Sequence, residues 1–149
     1  MIIGIGTDII EICRIEKIIS GKNKQQFLER IFNKDELTFY SEKIANANID
    51  NLSKLITFVA GRWAVKEAVA KSLGCGISEN CSFHDITVLN DQFNCPRAQL
   101  DGRAQKYCCE IAQNKFNSPK IDEQSIFVTV SISHEKNYAT AMAVIEVFN

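Results

Sequence analysis

The sequence predicts an α+β fold in which a small antiparallel sheet packs with a long central helix. Three observations carry this expectation. An apolar strand interrupted by two glycines opens the chain, a long apolar helix runs from Leu52 to Leu73, and two alternating segments near the end, 125–133 and 138–147, are spaced as a hairpin. The 149 residues fit one domain, 1–149, large enough to bury about two thirds of its unfolded surface.

Taken in order, residues 2–10 read as a strand and Glu11 to Ser20 as a short amphipathic helix. Ile12, Ile15, Ile18 and Ile19 lie on one side of that helix, which Gly21 stops. Phe27, Leu28, Ile31 and Phe32 recur at helical spacing in the next segment. Asn33-x-x-Glu36 then has the pattern of a capping box and opens another helix to about Ala45. Asn46 to Asn51 is a polar connector, with Asp50 or Asn51 the N-cap of the long helix that Gly74 ends. In that helix Leu52, Leu55, Ile56, Val59, Trp63, Ala70 and Leu73 form one stripe, and Phe58, Val65 and Val69 a second apolar face, so it is buried on most sides. Short strands follow at about 85–89 and 98–100. Asp101 is placed to cap a helix reaching Phe116, and 117–124 is a loop before the final hairpin across 134–137.

Composition excludes several classes. With 46% hydrophobic and 23% charged residues the chain is neither disordered nor fibrous, and a formal charge of −1 argues against general nucleic-acid binding. No apolar stretch reaches membrane-helix length, and the first residues lack the basic flank of a secretory signal, so a cytoplasmic protein with reduced, mostly buried thiols is expected. The six cysteines include no Cys-x-x-Cys pair, which removes zinc-ribbon spacing; Cys75 and Cys95, in loops, are expected to be the accessible ones. Charge is unevenly spread. Between Arg14 and Lys34, six basic residues oppose two acidic ones, a local balance of +4 that leaves −5 for the rest. Such a segment is either a solvated helical face or a dock for an acidic protein.

Three motifs place polar groups where a small domain would put apolar ones. In Gly4-Ile5-Gly6-Thr7-Asp8, strand alternation sends Gly4, Gly6 and Asp8 to one face and Ile3, Ile5, Thr7 and Ile9 to the other. The glycines clear space for a close-approaching backbone or ligand. Asp8 is then either a ligand or merely the cap of the following helix. The third glycine of a dinucleotide fingerprint is missing. In Lys66-Glu67-Ala68-Val69-Ala70-Lys71, a carboxylate on the flank of a buried helix needs a cation, a donor, or its own i+4 lysine. Arg62 and Lys66 repeat that spacing, and the helix dipole by itself favours cations there. In Ser131-Ile132-Ser133-His134, serines line one face of a strand and the histidine its exit, while no nucleophile elbow is present. His84 reads as an ordinary half-exposed histidine. Two carboxylates suit a hard divalent cation and the cationic groups suit phosphates, so phosphate chemistry leads. The alternative is a non-catalytic module that binds an acidic protein partner.

In the order of its motifs the chain resembles the holo-[acyl-carrier-protein] synthases, the small bacterial 4′-phosphopantetheinyl transferases. The segments that carry the resemblance are GIGTDIIEICRI (4–15), FVAGRWAVKEAVAKSLGCGI (58–77), SFHDITV (82–88) and SISHEKNYATAMAVI (131–145). One departure is Asn94-Cys95-Pro96 where the family usually has Gly-Lys-Pro. The resemblance implies the family fold and Mg²⁺ held by Asp8 and Glu67 beside the pyrophosphate of coenzyme A. It also implies Lys71 as a further catalytic and coenzyme-binding group, and Arg62 and His134 on the coenzyme's 3′-phosphate. A serine of apo acyl carrier protein would attack the β-phosphate and release adenosine 3′,5′-bisphosphate, in support of fatty acid biosynthesis. Glu67, or a metal-bound water oriented by Asp8, would take the proton. Arg14, Lys17 and Arg30 on the basic first helices would receive the carrier protein, and the protein would form a homotrimer with the coenzyme cleft between subunits.

Overall fold

A computed structural model describes residues 1–45 and 52–148, with backbone alone at 43–45; the expected connector and the N-cap of the long helix lie outside the described residues. The chain runs β1 (Ile2–Glu11), α1 (Ile12–Ile19), α2 (Lys24–Ile31), α3 (Lys34–Ala45), α4 (Leu52–Ser72), β2 (Ile86–Asn90), β3 (Pro96–Leu100), α5 (Gly102–Phe116), β4 (Ile126–His134) and β5 (Tyr138–Val147). A 3₁₀ turn at Phe83–Asp85 leads into β2. The antiparallel order is β1-β5-β4, with β2 and β3 as a separate hairpin. The α+β expectation holds, and α4 is its centre.

β1 reaches α4 because it has no side chains at the crossing. A Cβ on Gly4 would stand 1.9 Å from the Ser72 carbonyl oxygen, and one on Gly6 2.0 Å from that of Ala68. The glycines therefore admit the backbone of a helix. Behind them β5 presents Ala139, Ala141 and Ala143, all buried, to the same helix, whose own Ala60, Ala64 and Ala68 are fully buried. Small residues on both surfaces bring sheet and helix close together.

Two expectations for the strands and helices need correction. A bulge between Ile2 and Gly4 places Ile3 in the core, away from Ile5, Thr7 and Ile9, and Lys115 Nζ donates to the Ile3 carbonyl at 2.8 Å. Leu52, expected in the apolar stripe, is exposed at the first turn of α4. The capping box is present as read: Asn33 Oδ1 accepts from the Glu36 N–H at 3.1 Å, and Glu36 Oε2 accepts from the Asn33 N–H at 3.0 Å. Asp101 occupies the N-cap of α5 but caps nothing with its side chain, which instead accepts from Thr87 Oγ1 at 2.6 Å.

The outer face of the β1-β5-β4 sheet carries Ile5, Ile9, Met142 and Phe127, exposed by 59%, 65%, 47% and 51%. That is a run of apolar groups on three adjacent strands, larger than scattered surface residues explain.

All six cysteines are free. Cys13 and Cys95 are exposed, whereas Cys75 is half-buried, so α1 rather than the loop after α4 supplies the second open thiol. Burial pushes the thiols of Cys81 and Cys108 up to about 12. Brief treatment with iodoacetamide at about pH 8 is expected to label Cys13 and Cys95 and to spare Cys81 and Cys108 until denaturant is added, because the thiolate is the reacting form. Peptide mapping by mass spectrometry checks this, and early adducts on Cys81 or Cys108 would contradict the described core.

Candidate functional site

Asp8 does not cap a helix. The N-cap of α1 is Glu11, and the Asp8 carboxylate turns toward α4, where its Oδ1 accepts from Lys71 Nζ at 2.8 Å. Lys71 thus pairs across elements with a residue 63 positions away, not with its i−4 neighbour Glu67. Thr140 Oγ1 donates to the Asp8 carbonyl at 2.8 Å and fixes the strand at that point. Glu67 lies beside them, half-buried, with no hydrogen bond to its carboxylate among the described residues. Burial raises its pKa above the usual glutamate range; the charge on Asp8 adds to this and Lys71 opposes it. The hydrogen bond to Asp8 raises that of Lys71. Two carboxylates that repel one another, one of them lacking a donor, form a place that a cation would relieve.

The donor set limits which cation fits. No group of three or more His, Cys, Asp or Glu side chains converges among the described residues. Two carboxylates alone are too few for zinc or for a calcium cage, but they match Mg²⁺, which keeps waters and shares substrate phosphates.

Arg62 and His134 meet elsewhere, in a cleft of about 650 Å³ between the first half of α4, the β2–β3 turn and the end of β4. Arg62 is 4% exposed. Its Nη2 donates to Asn90 Oδ1, its guanidinium lies 4.5 Å from the centre of the Phe58 ring, and its Nε has no partner. Burial lowers its pKa to about 10, which the charge on Glu36 partly offsets, so it remains a cation at neutral pH. Arg97 and Cys95 line the same cleft from the turn that departs from Gly-Lys-Pro; Arg97 is held by Asp91 at 2.9 Å. None of Asp8, Glu67 and Lys71 lines this cleft. In the sheet, Asp8 is opposite Ala141 and Ala141 opposite Ile132, so the carboxylate is two strands from the cleft wall, roughly 10 Å. The structure therefore divides the candidate residues into an acidic half and a cationic half.

The docking candidates Arg14, Lys17 and Arg30 are exposed on α1 and α2 and take part in none of the ion pairs among the described residues. His84 is exposed, its Nε2 2.8 Å from the Glu29 carbonyl oxygen. Sequence reasoning missed Asn90 and the buried partnership of Lys66 with Glu36, whose Nζ and Oε2 are 2.6 Å apart. The capping box at Asn33 signalled that Glu36 is placed, but nothing local signalled Lys66 as its partner. No helix among the described residues is long and apolar enough to cross a membrane.

A carboxylate pair with an adjoining lysine, and a cationic cleft on the same central helix, suit an enzyme that handles phosphates. Residues 4–143 match the family model of the 4′-phosphopantetheinyl transferase superfamily. A holo-[acyl-carrier-protein] synthase of Vibrio parahaemolyticus is 37% identical over 145 residues, 97% of this chain and 98% of that protein. One from Bacillus cereus is 40% identical over 146 residues, 98% of this chain and 97% of its own length. Among solved structures, the holo-(acyl-carrier-protein) synthase of Bacillus anthracis in complex with CoA (3′,5′-ADP) superposes with a TM-score of 0.70 at 35% identity, covering 99% of both chains. The holo-ACP-synthase of Plasmodium yoelii does so with a TM-score of 0.73 at 31% identity, covering 100% of this chain and 98% of that one. The chain belongs to the 4′-phosphopantetheinyl transferase superfamily and is a phosphopantetheinyl transferase, as its motifs led us to expect.

Proposed function

We propose that the protein, as one domain over 1–149, transfers 4′-phosphopantetheine from coenzyme A to a serine of apo acyl carrier protein with Mg²⁺. The observation that carries this reading is the convergence of Asp8, Glu67 and Lys71 from β1 and α4 into one acidic site with Lys71 as its adjoining cation. A relative of similar sequence and fold has been solved with CoA (3′,5′-ADP), which supports coenzyme A as the donor.

Asp8 and Glu67 would hold the ion, which, when bound, supplies positive charge beside the pyrophosphate. Lys71, already set by Asp8, neutralises charge that develops on the phosphate oxygens. The serine Oγ forms a bond to the β-phosphorus while the anhydride bond to the α-phosphate breaks, releasing adenosine 3′,5′-bisphosphate. The Glu67 carboxylate, which makes no hydrogen bond among the described residues, is the group placed to take the proton the serine loses. Arg62 and His134 bind the 3′-phosphate, and Arg14, Lys17 and Arg30 receive the acidic carrier protein.

The separation of the two half-sites, together with the exposed apolar sheet face, supports a homotrimer in which the acidic half of one subunit meets the cationic half of the next. Six free thiols suit a reducing cytoplasm. Incubating apo acyl carrier protein with coenzyme A, Mg²⁺ and the protein is expected to add about 340 Da, the phosphopantetheine increment, to the carrier. A carrier of unchanged mass, in a preparation that a known transferase does modify, would refute the assignment.

A further inference from the structure

Glu36 and Lys66 make no hydrogen bond to a residue of either half-site among the described residues, although the Glu36 charge is felt at Arg62, and they form a buried ion pair: Lys66 is 0% exposed and Glu36 3%. Lys66 commits all three ammonium protons, to Glu36 Oε2 at 2.6 Å and to the carbonyl oxygens of Phe83 and Ile86, each at 2.7 Å. Glu36 accepts in addition from the backbone N–H of Val88 through Oε1 at 2.9 Å, and from that of Asn33 through Oε2 at 3.0 Å. These bonds tie α3, α4 and the 3₁₀ turn to β2. Apolar side chains of similar volume would fill the space as well, since a buried ion pair rarely gains stability over them. The pair instead fixes direction: three of these bonds, to the Phe83 and Ile86 carbonyls and from the Val88 N–H, each hold one backbone group of β2 or its entry against the pair.

Asn90 is the next residue of β2 on the side that Ile86 and Val88 share. Arg62 is one turn before Lys66 on α4. Helix and strand are thus laced twice, by Lys66 to Ile86 and by Arg62 to Asn90, and Asn90 is the only hydrogen-bond partner of the Arg62 guanidinium among the described residues. We propose that the Glu36–Lys66 pair is a positioning device for the anion cleft: by fixing β2 against α4 it presents Asn90 to Arg62 and thereby sets the affinity for the phosphate-bearing end of coenzyme A. This rests on the assignment of Arg62 to coenzyme binding given above. Neither Glu36 nor Lys66 lines the cleft.

The test is a cycle of Glu36→Gln, Arg62→Gln and the double variant, read by calorimetric titration with coenzyme A and by steady-state kinetics with saturating carrier protein. Glu36→Gln is expected to raise Kd and KM for coenzyme A about tenfold, as loss of a supporting shell does, with kcat changed by less than about threefold. Added to Arg62→Gln it is expected to change KM no further, because both act through one guanidinium. An unchanged KM in Glu36→Gln, or losses that multiply in the double variant, would overturn the positioning role while leaving the assignment of Arg62 intact. Arg62→Gln binding coenzyme A as tightly as the parent would instead overturn that assignment, and the positioning role with it. Should Glu36→Gln fail to fold, Glu36→Met combined with Lys66→Met removes both charges without stranding either one. The same tenfold rise in KM is expected there, and its absence overturns the proposal.

Discussion

Glu67→Gln is expected to lower phosphopantetheinyl transfer by at least about 10³-fold, the equivalent of about 4 kcal/mol of lost charge stabilisation at the phosphates. The fold should survive, because the Glu67 carboxylate makes no hydrogen bond among the described residues. Stability moves the opposite way from activity. The folded-state pKa of Glu67 is raised, so its contribution is fully present below the unfolded value, roughly pH 4, and is lost as pH rises through the folded value. Glutamine carries no such dependence. The variant should therefore be the more stable protein near neutrality, with the margin closing in acid, as urea unfolding at several pH values would show. Mixing it with His134→Ala, expected to be impaired through weaker binding of the coenzyme's 3′-phosphate, sharpens the result. If each site takes Asp8 and Glu67 from one subunit and Arg62 and His134 from the next, random mixed trimers restore about one quarter of the sites. Full activity in Glu67→Gln alone would refute its role, and no recovery on mixing would refute the shared site.

Gly6→Ala is expected to destabilise the protein by at least about 3 kcal/mol, the upper range for forcing a methyl into a filled core. The new Cβ would meet the Ala68 carbonyl oxygen at 2.0 Å and the Ser72 backbone nitrogen at 2.6 Å, and neither can turn aside as a side-chain tip would. β1 and α4 would have to separate, and Asp8 travels with β1 while Glu67 and Lys71 travel with α4. Transfer should fall even at temperatures where the variant is folded. The midpoint of urea unfolding measures the first effect and assay at low temperature the second. A variant as stable as its parent would mean that strand and helix are not in backbone contact.

What the sequence revealed was whatever a short window contains. The strand through Asp8, the Asn33-x-x-Glu36 box and the hairpin that ends at Val147 all follow from local spacing and were found close to where they were expected. Two features escaped because their causes are distant. The bulge at Ile3 breaks the alternation of β1, and the lysine on its carbonyl is 112 residues away. Lys66 looked like one of several cations gathered by the end of a helix, and only the tertiary fold gives it Glu36, 30 residues earlier. The candidate site was legible as a set of residues, through the resemblance of its motifs. Its division into two halves was not, because Arg62 and Glu67 are near in sequence but lie on different sides of α4.

Adjacent residues of that helix, Lys66 and Glu67, address separate compartments of the molecule, one the interior beside β2 and the other the acid pocket beside β1. Removing a single residue between Arg62 and Lys71 would turn everything beyond it by about 100° and direct a buried ammonium and a reactive carboxylate to the wrong neighbours. Length within this segment is therefore as strictly constrained as residue identity, and an insertion or deletion there is forbidden by angle alone.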